Sequence, residues 1–194
     1  MGSVKKREEE AFEKNKNIRH LHNKILMEAF LAEMDGQTLS KISKRQILNY
    51  LFDIENWGLY EIELFGNFTI FFSPEENHQF VHLLRKKKNH FSSERRYIEI
   101  ASKLLLNILL KDILLGSKYG DDILREIEQL LNREGFYAEK MSAQFFKGIL
   151  MIQRNQKTDG EKLCLKSIQF FYDFEENHKG KLYRQFLSEQ LNHR

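Results

Sequence analysis

A single cysteine, Cys164, and a single proline, Pro74, stand among 194 residues. One thiol excludes a disulfide within the chain and suits a reducing compartment. One proline and ten scattered glycines leave few helix breakers, so long helices are the expectation. Long apolar runs are missing as well. No stretch approaches the roughly 20 apolar residues of a membrane span. The opening "MGSVKKREEEAF" lacks the apolar centre of a signal peptide. The chain therefore reads as cytoplasmic with no membrane partner, and Met1–Ser3 as a cloning scar.

Strong charge of one sign is also lacking. The formal net charge is +3, which by itself makes no case for nucleic acid. The basic clusters Arg85–Lys88 and Arg95–Arg96 flank an expected loop and read as solvated. The motifs HExxH, CxxC, GxGxxG, GxSxG and the P-loop are absent. His78 and His82 are one helical turn apart, but zinc needs further ligands that nothing assures. Cys164 lies in the apolar pattern Leu163, Leu165, Ile168 and reads as a small core residue rather than a nucleophile. No catalytic residue, metal or cofactor is expected, and the chain is not expected to be an enzyme.

What is present is helical periodicity. A charged amphipathic segment over about residues 5–34 reads as one helix ending at Asp35–Gly36. Ile47, Leu48, Leu51 and Ile54 space a short helix before Trp57. The run Leu59–Phe72 fits a helix better than a strand, because alternation fails at Leu64–Phe65 and Phe71–Phe72. Ser73 as N-cap, Pro74 at the first position and two acids behind it predict a helix start. Helices follow over Ser93–Leu115, from Asp121 to a stop at Gly135, over Phe136–Arg154, from a Thr158 or Asp159 cap to Phe174, and over about His178–Leu191. Short connections make successive helices antiparallel neighbours.

The fold class expected is all-α, an antiparallel helix-pair repeat stack resembling a degenerate tetratricopeptide superhelix. Gly148, Gly160 and Ser167 match the small positions of one such pair, with Phe145, Ile149 and Ile152 as knobs. The other pairs fit poorly, and a plain helical bundle is the alternative. Trp57 is expected to fill the corner between two helices, with Gly58 turning the backbone free of a Cβ.

The stretch "ILNYLFDIENWGLYEIELFGN" resembles the central signature of the Rgg/GadR/MutR family of transcription regulators. "LLNILLKDILLGSKY" and "FYAEKMSAQFFKGILMIQRNQKTDGEKLCLKSIQFF" follow in the family's order, so the likeness spans about Ile42 to Gln190. Family members begin with a helix-turn-helix domain of some sixty residues, for which "VKKREEEAFEKNKNIRHLHNKIL" is too short. The division expected is an N-terminal charged helix over 1–40 and a regulatory domain over 41–194, with the DNA-binding domain absent.

The resemblance implies a concave surface that binds a short hydrophobic signalling peptide. It implies a homodimer, with DNA engaged only through the missing domain. Helix position, rather than a family motif, selects the candidate peptide-binding residues. Asn107 carries a carboxamide that donates and accepts within an apolar helix. Lys103 and Lys147 are placed to meet a peptide carboxylate. Gln144 lies beside Lys147, and Tyr60 and Glu61 are expected at the groove mouth. Glu99 and Lys111 continue the polar line of Asn107 and read as solvated. Leu182, Tyr183, Phe186, Leu187 and Leu191 on the last helix either cap the stack or pack on a second copy. A protein-interaction scaffold without a transcription role, and nucleic-acid binding by the Arg85–Arg96 loop, are the rival functions.

Overall fold

The computed structural model describes residues 2–87 and 93–192. Among them are ten α-helices, one 3-10 turn and no β-strand. The expected basic loop falls largely on residues 88–92, outside the described residues. The flanking arginines are engaged: Arg85 pairs with Glu126 at 3.1 Å and Arg95 with Glu99 at 2.8 Å.

The charged N-terminal segment corrects its expectation. It forms two helices, α1 (Gly2–Asn15) and α2 (Ile18–Met34), folded back on each other. Lys16 takes φ +56°, and the Asn17 side chain caps α2 by accepting the Arg19 amide. Two ion pairs, Lys5–Glu28 at 3.0 Å and Glu9–Lys24 at 2.6 Å, and a Glu8–His20 hydrogen bond at 2.7 Å then join the two helices. Neither breaker is glycine or proline, so periodicity alone ran straight through the bend. The signal that was available is Asn15 and Asn17 on either side of Lys16, since asparagine favours caps and turns.

Helix α3 (Lys41–Asp53) leads into the Trp57 corner and α4 (Leu59–Phe68) follows. Trp57 is fully buried, as expected, against Phe65 and Phe80. Its indole Nε1–H donates to the Leu51 carbonyl at 3.1 Å, and its backbone amide donates to the Lys87 carbonyl at 2.9 Å. Gly58 departs from its expected role. Its φ of −95° is open to other residues. It serves as the N-cap of α4, and its amide donates to Glu61 Oε2 at 2.9 Å.

A 3-10 turn (Thr69–Phe71) connects α4 to α5 (Pro74–Lys86). Helix α5 starts as predicted. Ser73 Oγ accepts the Glu76 amide, and Glu76 Oε2 accepts the Ser73 amide at 2.7 Å. Lys111 is not solvated. Its ammonium donates to the carbonyls of Thr69, Ile70 and Phe72 at 2.8, 2.9 and 2.7 Å. All three of its donors are used, on carbonyls at the end of a helix, where that of Thr69 also accepts from Asn77 Nδ2 at 3.1 Å.

The centre of the fold is α6 (Arg95–Leu114), whose buried face meets α4, α5, α7 and α8. Helix α7 (Gly120–Leu130) ends before Gly135, which instead sits at φ +83° ahead of α8 (Tyr137–Gln153). Helix α9 (Lys157–Asp173) begins one residue after Gln156, so neither Thr158 nor Asp159 is its cap. Helix α10 (Asn177–Asn192) packs on α9 and α8. The α8–α9 pair crosses at Gly148 and Gly160, both buried, where the backbones touch. The expected all-α stack of antiparallel helix pairs is thus the fold.

Candidate functional site

A hollow of about 320 Å³ opens between α6, α8 and α10. Its wall is built from Leu110 of α6, Phe145 and Phe146 of α8, and Leu182, Tyr183 and Phe186 of α10, with Gln185 and Glu189 at the rim. The aromatic side is preordered: the Tyr183 and Phe145 rings stack at 4.1 Å, and Phe146 lies 5.8 Å from Tyr183. Burial pushes the Tyr183 phenol up to about 12, so it stays neutral. At one end Gln153 ties the three helices by donating to the Ile113 carbonyl at 3.3 Å and to Gln190 Oε1 at 3.1 Å. An apolar trough with a few polar groups can hold apolar side chains and leave a backbone its hydrogen bonds.

The expected binding residues divide among three places. Lys103 and Asn107 are exposed and share one stripe of α6 with Leu110, and neither is among the residues that line the hollow. Gln144 and Lys147 do not reach it. At 100° per residue each lies about 150° around α8 from the mean direction of Phe145 and Phe146. Lys147 is held instead by Glu128 of α7 at 2.9 Å. Tyr60 and Glu61 belong to a separate cluster, with α2 and α3. Tyr60 Oη bonds His22 Nδ1 at 2.8 Å under the Arg19 guanidinium, and Tyr50 Oη donates to Glu61 Oε1 at 3.0 Å.

The wall residues of α8 and α10 were visible in the sequence only in other roles. Phe145 read as a knob for the helix pair, and Tyr183 and Phe186 as a cap or a dimer stripe. The aromatic spacing was the signal, but one sequence does not say which face is left without a neighbour.

His78 stacks on Tyr119 at 4.1 Å and faces Asp122 at 3.4 Å. Among the described residues no group of three or more His, Cys, Asp or Glu is arranged to hold a metal. No described helix is long and apolar enough to cross a membrane.

The Tyr60 cluster makes a pH prediction. His22 is 2% exposed, and burial drives its pKa from 6.5 down to about 4, while Glu61 opposes the shift. The folded state thus prefers neutral His22, and the unfolded chain binds the proton more tightly. The resulting stability is complete above pH 6.5 and drains away as the pH falls towards 4. A loss of roughly 2–3 kcal/mol over that window is expected. Thermal melts across the window should show it, and His22→Gln should flatten the profile. A wild-type profile already flat would remove His22 as its source.

A family profile described as "HTH-type transcriptional regulator Rgg, C-terminal domain" matches residues 5–185. No curated protein matches the sequence. Among solved structures, a Listeria monocytogenes EGD-e protein assigned as a transcriptional regulator superposes with a TM-score of 0.79 at 16% identity, over 97% of this chain and 67% of its own. The Streptococcus dysgalactiae SHP pheromone receptor Rgg2 gives 0.72 at 19% identity, over 97% and 76%. A cysteine-to-serine variant of the same receptor gives 0.75 at 21%, over 95% and 72%. At these identities the likeness is one of fold.

Proposed function

Since the chain belongs to the Rgg family of transcriptional regulators, within the family's C-terminal domain, and is a regulatory domain rather than an enzyme, we propose that it senses a short apolar peptide in the hollow between α6, α8 and α10. Peptide binding biases a cytoplasmic homodimer between two arrangements, and a helix-turn-helix domain outside this chain passes the change to DNA. Residues 1–40 form the element nearest that domain, and residues 41–194 form the sensing unit. The observation that carries the reading is the aromatic trough itself, preordered by the Phe145–Tyr183 stack. The pheromone-receptor description of two similar structures supports it.

The test uses a pool of synthetic pentapeptides made of aliphatic and aromatic residues, with retention on the immobilised domain as readout. Leu110→Trp should fill the hollow and abolish retention. Retention at the wild-type level would place the peptide elsewhere. Asn107→Ala should weaken binding of the best-retained peptide by about 1–3 kcal/mol, roughly fivefold to 150-fold in Kd, with unchanged helical circular dichroism. Undiminished affinity would remove Asn107 from the site. The dimer is checked by light scattering, where a monomer at high concentration counts against it. The α10 stripe is already partly used within the chain, because Leu187 is buried and Tyr183 stacks on Phe145. Of that stripe Leu182, 51% exposed, remains most open to a second copy.

A further inference from the structure

Leu110 and Lys111 are neighbours on α6 and point about 100° apart. Leu110 is half-buried in the wall of the hollow. Lys111 turns instead to the 3-10 turn, where its ammonium donates to the carbonyls of Thr69, Ile70 and Phe72 at 2.8, 2.9 and 2.7 Å. The other charges acting on it, Lys44 and Glu76, are paired with each other at 2.6 Å. Helix α6 thus touches the hollow with one residue and grips a distant turn with the next.

That turn is held on one side and open on the other. Asn77 Nδ2 of α5 also donates to the Thr69 carbonyl at 3.1 Å, and Thr69 Oγ1 donates to the Gly66 carbonyl at 3.0 Å. On the far side Ile70 and Phe71 border a second hollow, of about 480 Å³, which they share with the end of α2, the connection after it and the start of α3. Ile70 is 52% exposed there. The Phe71 ring meets Phe30 of α2 edge-on at 6.2 Å. The turn therefore has space to shift, and an aromatic contact through which a shift reaches α2.

We propose that Lys111 couples the peptide hollow to the α1–α2 hairpin. This rests on the peptide reading above and adds a route of transmission to it. A peptide that covers Leu110 adds contacts to α6. A helix is stiff over one residue, so whatever steadies Leu110 also steadies Lys111. Three hydrogen bonds of 2.7–2.9 Å pass this on to the turn. A displacement of about half an ångström would carry them to the edge of the N–H···O range, so the grip is sensitive to where α6 lies. Phe71 then acts on Phe30, and α2 carries α1 through the Lys5–Glu28 and Glu9–Lys24 pairs. Ordering one end of such a chain lowers the cost of ordering the other, which couples two sites without a large change of shape.

Hydrogen exchange of the full chain, read by mass spectrometry, tests the coupling with the best-retained aliphatic and aromatic pentapeptide. The peptide should slow exchange over residues 66–73 and 25–34 by about threefold or more. Lys111→Met keeps an unbranched stem and removes the three donors. Lys111 is not in the wall of the hollow. Peptide Kd should therefore stay within about threefold of wild type, while the slowing in both segments is lost. A merely structural lysine would raise exchange with and without peptide and leave the peptide-dependent difference intact. Phe30→Leu cuts only the last step, so slowing should persist over 66–73 and vanish over 25–34. It decides alone should Lys111→Met fail to fold. Slowing over 25–34 that survives either substitution overturns the coupling. A bound peptide that slows neither segment overturns it too and leaves the peptide reading standing. A chain that retains no pentapeptide overturns both.

Discussion

Gly148→Ala is expected to lower the unfolding free energy by about 3 kcal/mol or more, at the upper end of what overpacking costs. A Cβ at this position would stand 2.5 Å from Cys164 Sγ, 2.6 Å from the Gly160 carbonyl oxygen and 3.1 Å from the Cys164 amide nitrogen. Two of these three are backbone atoms inside a helix and cannot step aside without moving α9. The crossing is tight from the other side as well, because a Cβ at Gly160 would lie 2.5 Å from the Gly148 carbonyl oxygen. Urea denaturation should show a lower midpoint at unchanged slope. Gly66→Ala is the control. Its Cβ would meet only Leu104, at an ordinary 3.7 Å, and a helical glycine replaced by alanine gains about 0.5–1 kcal/mol. If Gly148→Ala unfolds where the wild type does, the two backbones are further apart than described.

The second large effect is expected at Trp57. Trp57→Ala should cost about 3–5 kcal/mol, as truncation of a buried aromatic does. The indole fills the space that Phe65 and Phe80 leave, at centroid distances of 5.9 Å to each. Trp57→Phe separates packing from hydrogen bonding. It keeps a ring but leaves the Leu51 carbonyl without its donor, for about 1–3 kcal/mol. Equilibrium denaturation followed by circular dichroism reads both, since the variants lack the chain's one indole. A Trp57→Ala protein as stable as wild type would mean that the corner does not depend on this side chain.

The two predictions mark what was legible beforehand. The Gly148–Gly160–Ser167 spacing pointed to a close crossing, and Gly148 and Gly160 meet where α8 crosses α9, with Ser167 buried further along α9. Helix positions followed from apolar periodicity, and the Ser73–Pro74 start from capping chemistry, because both are local signals. The bend at Lys16 was missed because it rests on a left-handed lysine, which local preference disfavours and which the ion pairs between α1 and α2 sustain. Of the candidate residues, the exposed stripe of Lys103 and Asn107 on α6 was legible, because the helix itself sets its direction. Gln144 and Lys147 required knowing which side of α8 faces α10, a long-range fact. Lys111 read as solvated because its three acceptors lie about 40 residues away. Tyr60 is held away from the hollow for the same reason, as its partner His22 comes from α2, while Glu61 is held by Tyr50 and the Gly58 amide.

The position of Cys164 has a practical consequence. The thiol is 0% exposed at the glycine crossing, donates weakly to the Phe145 carbonyl at 3.4 Å, and is pushed by burial up to about 12. Alkylating reagents attack only a thiolate they can reach. Their rate on this chain therefore counts the moments when α8 and α9 part, and the protein carries a built-in clock for its own breathing at that joint.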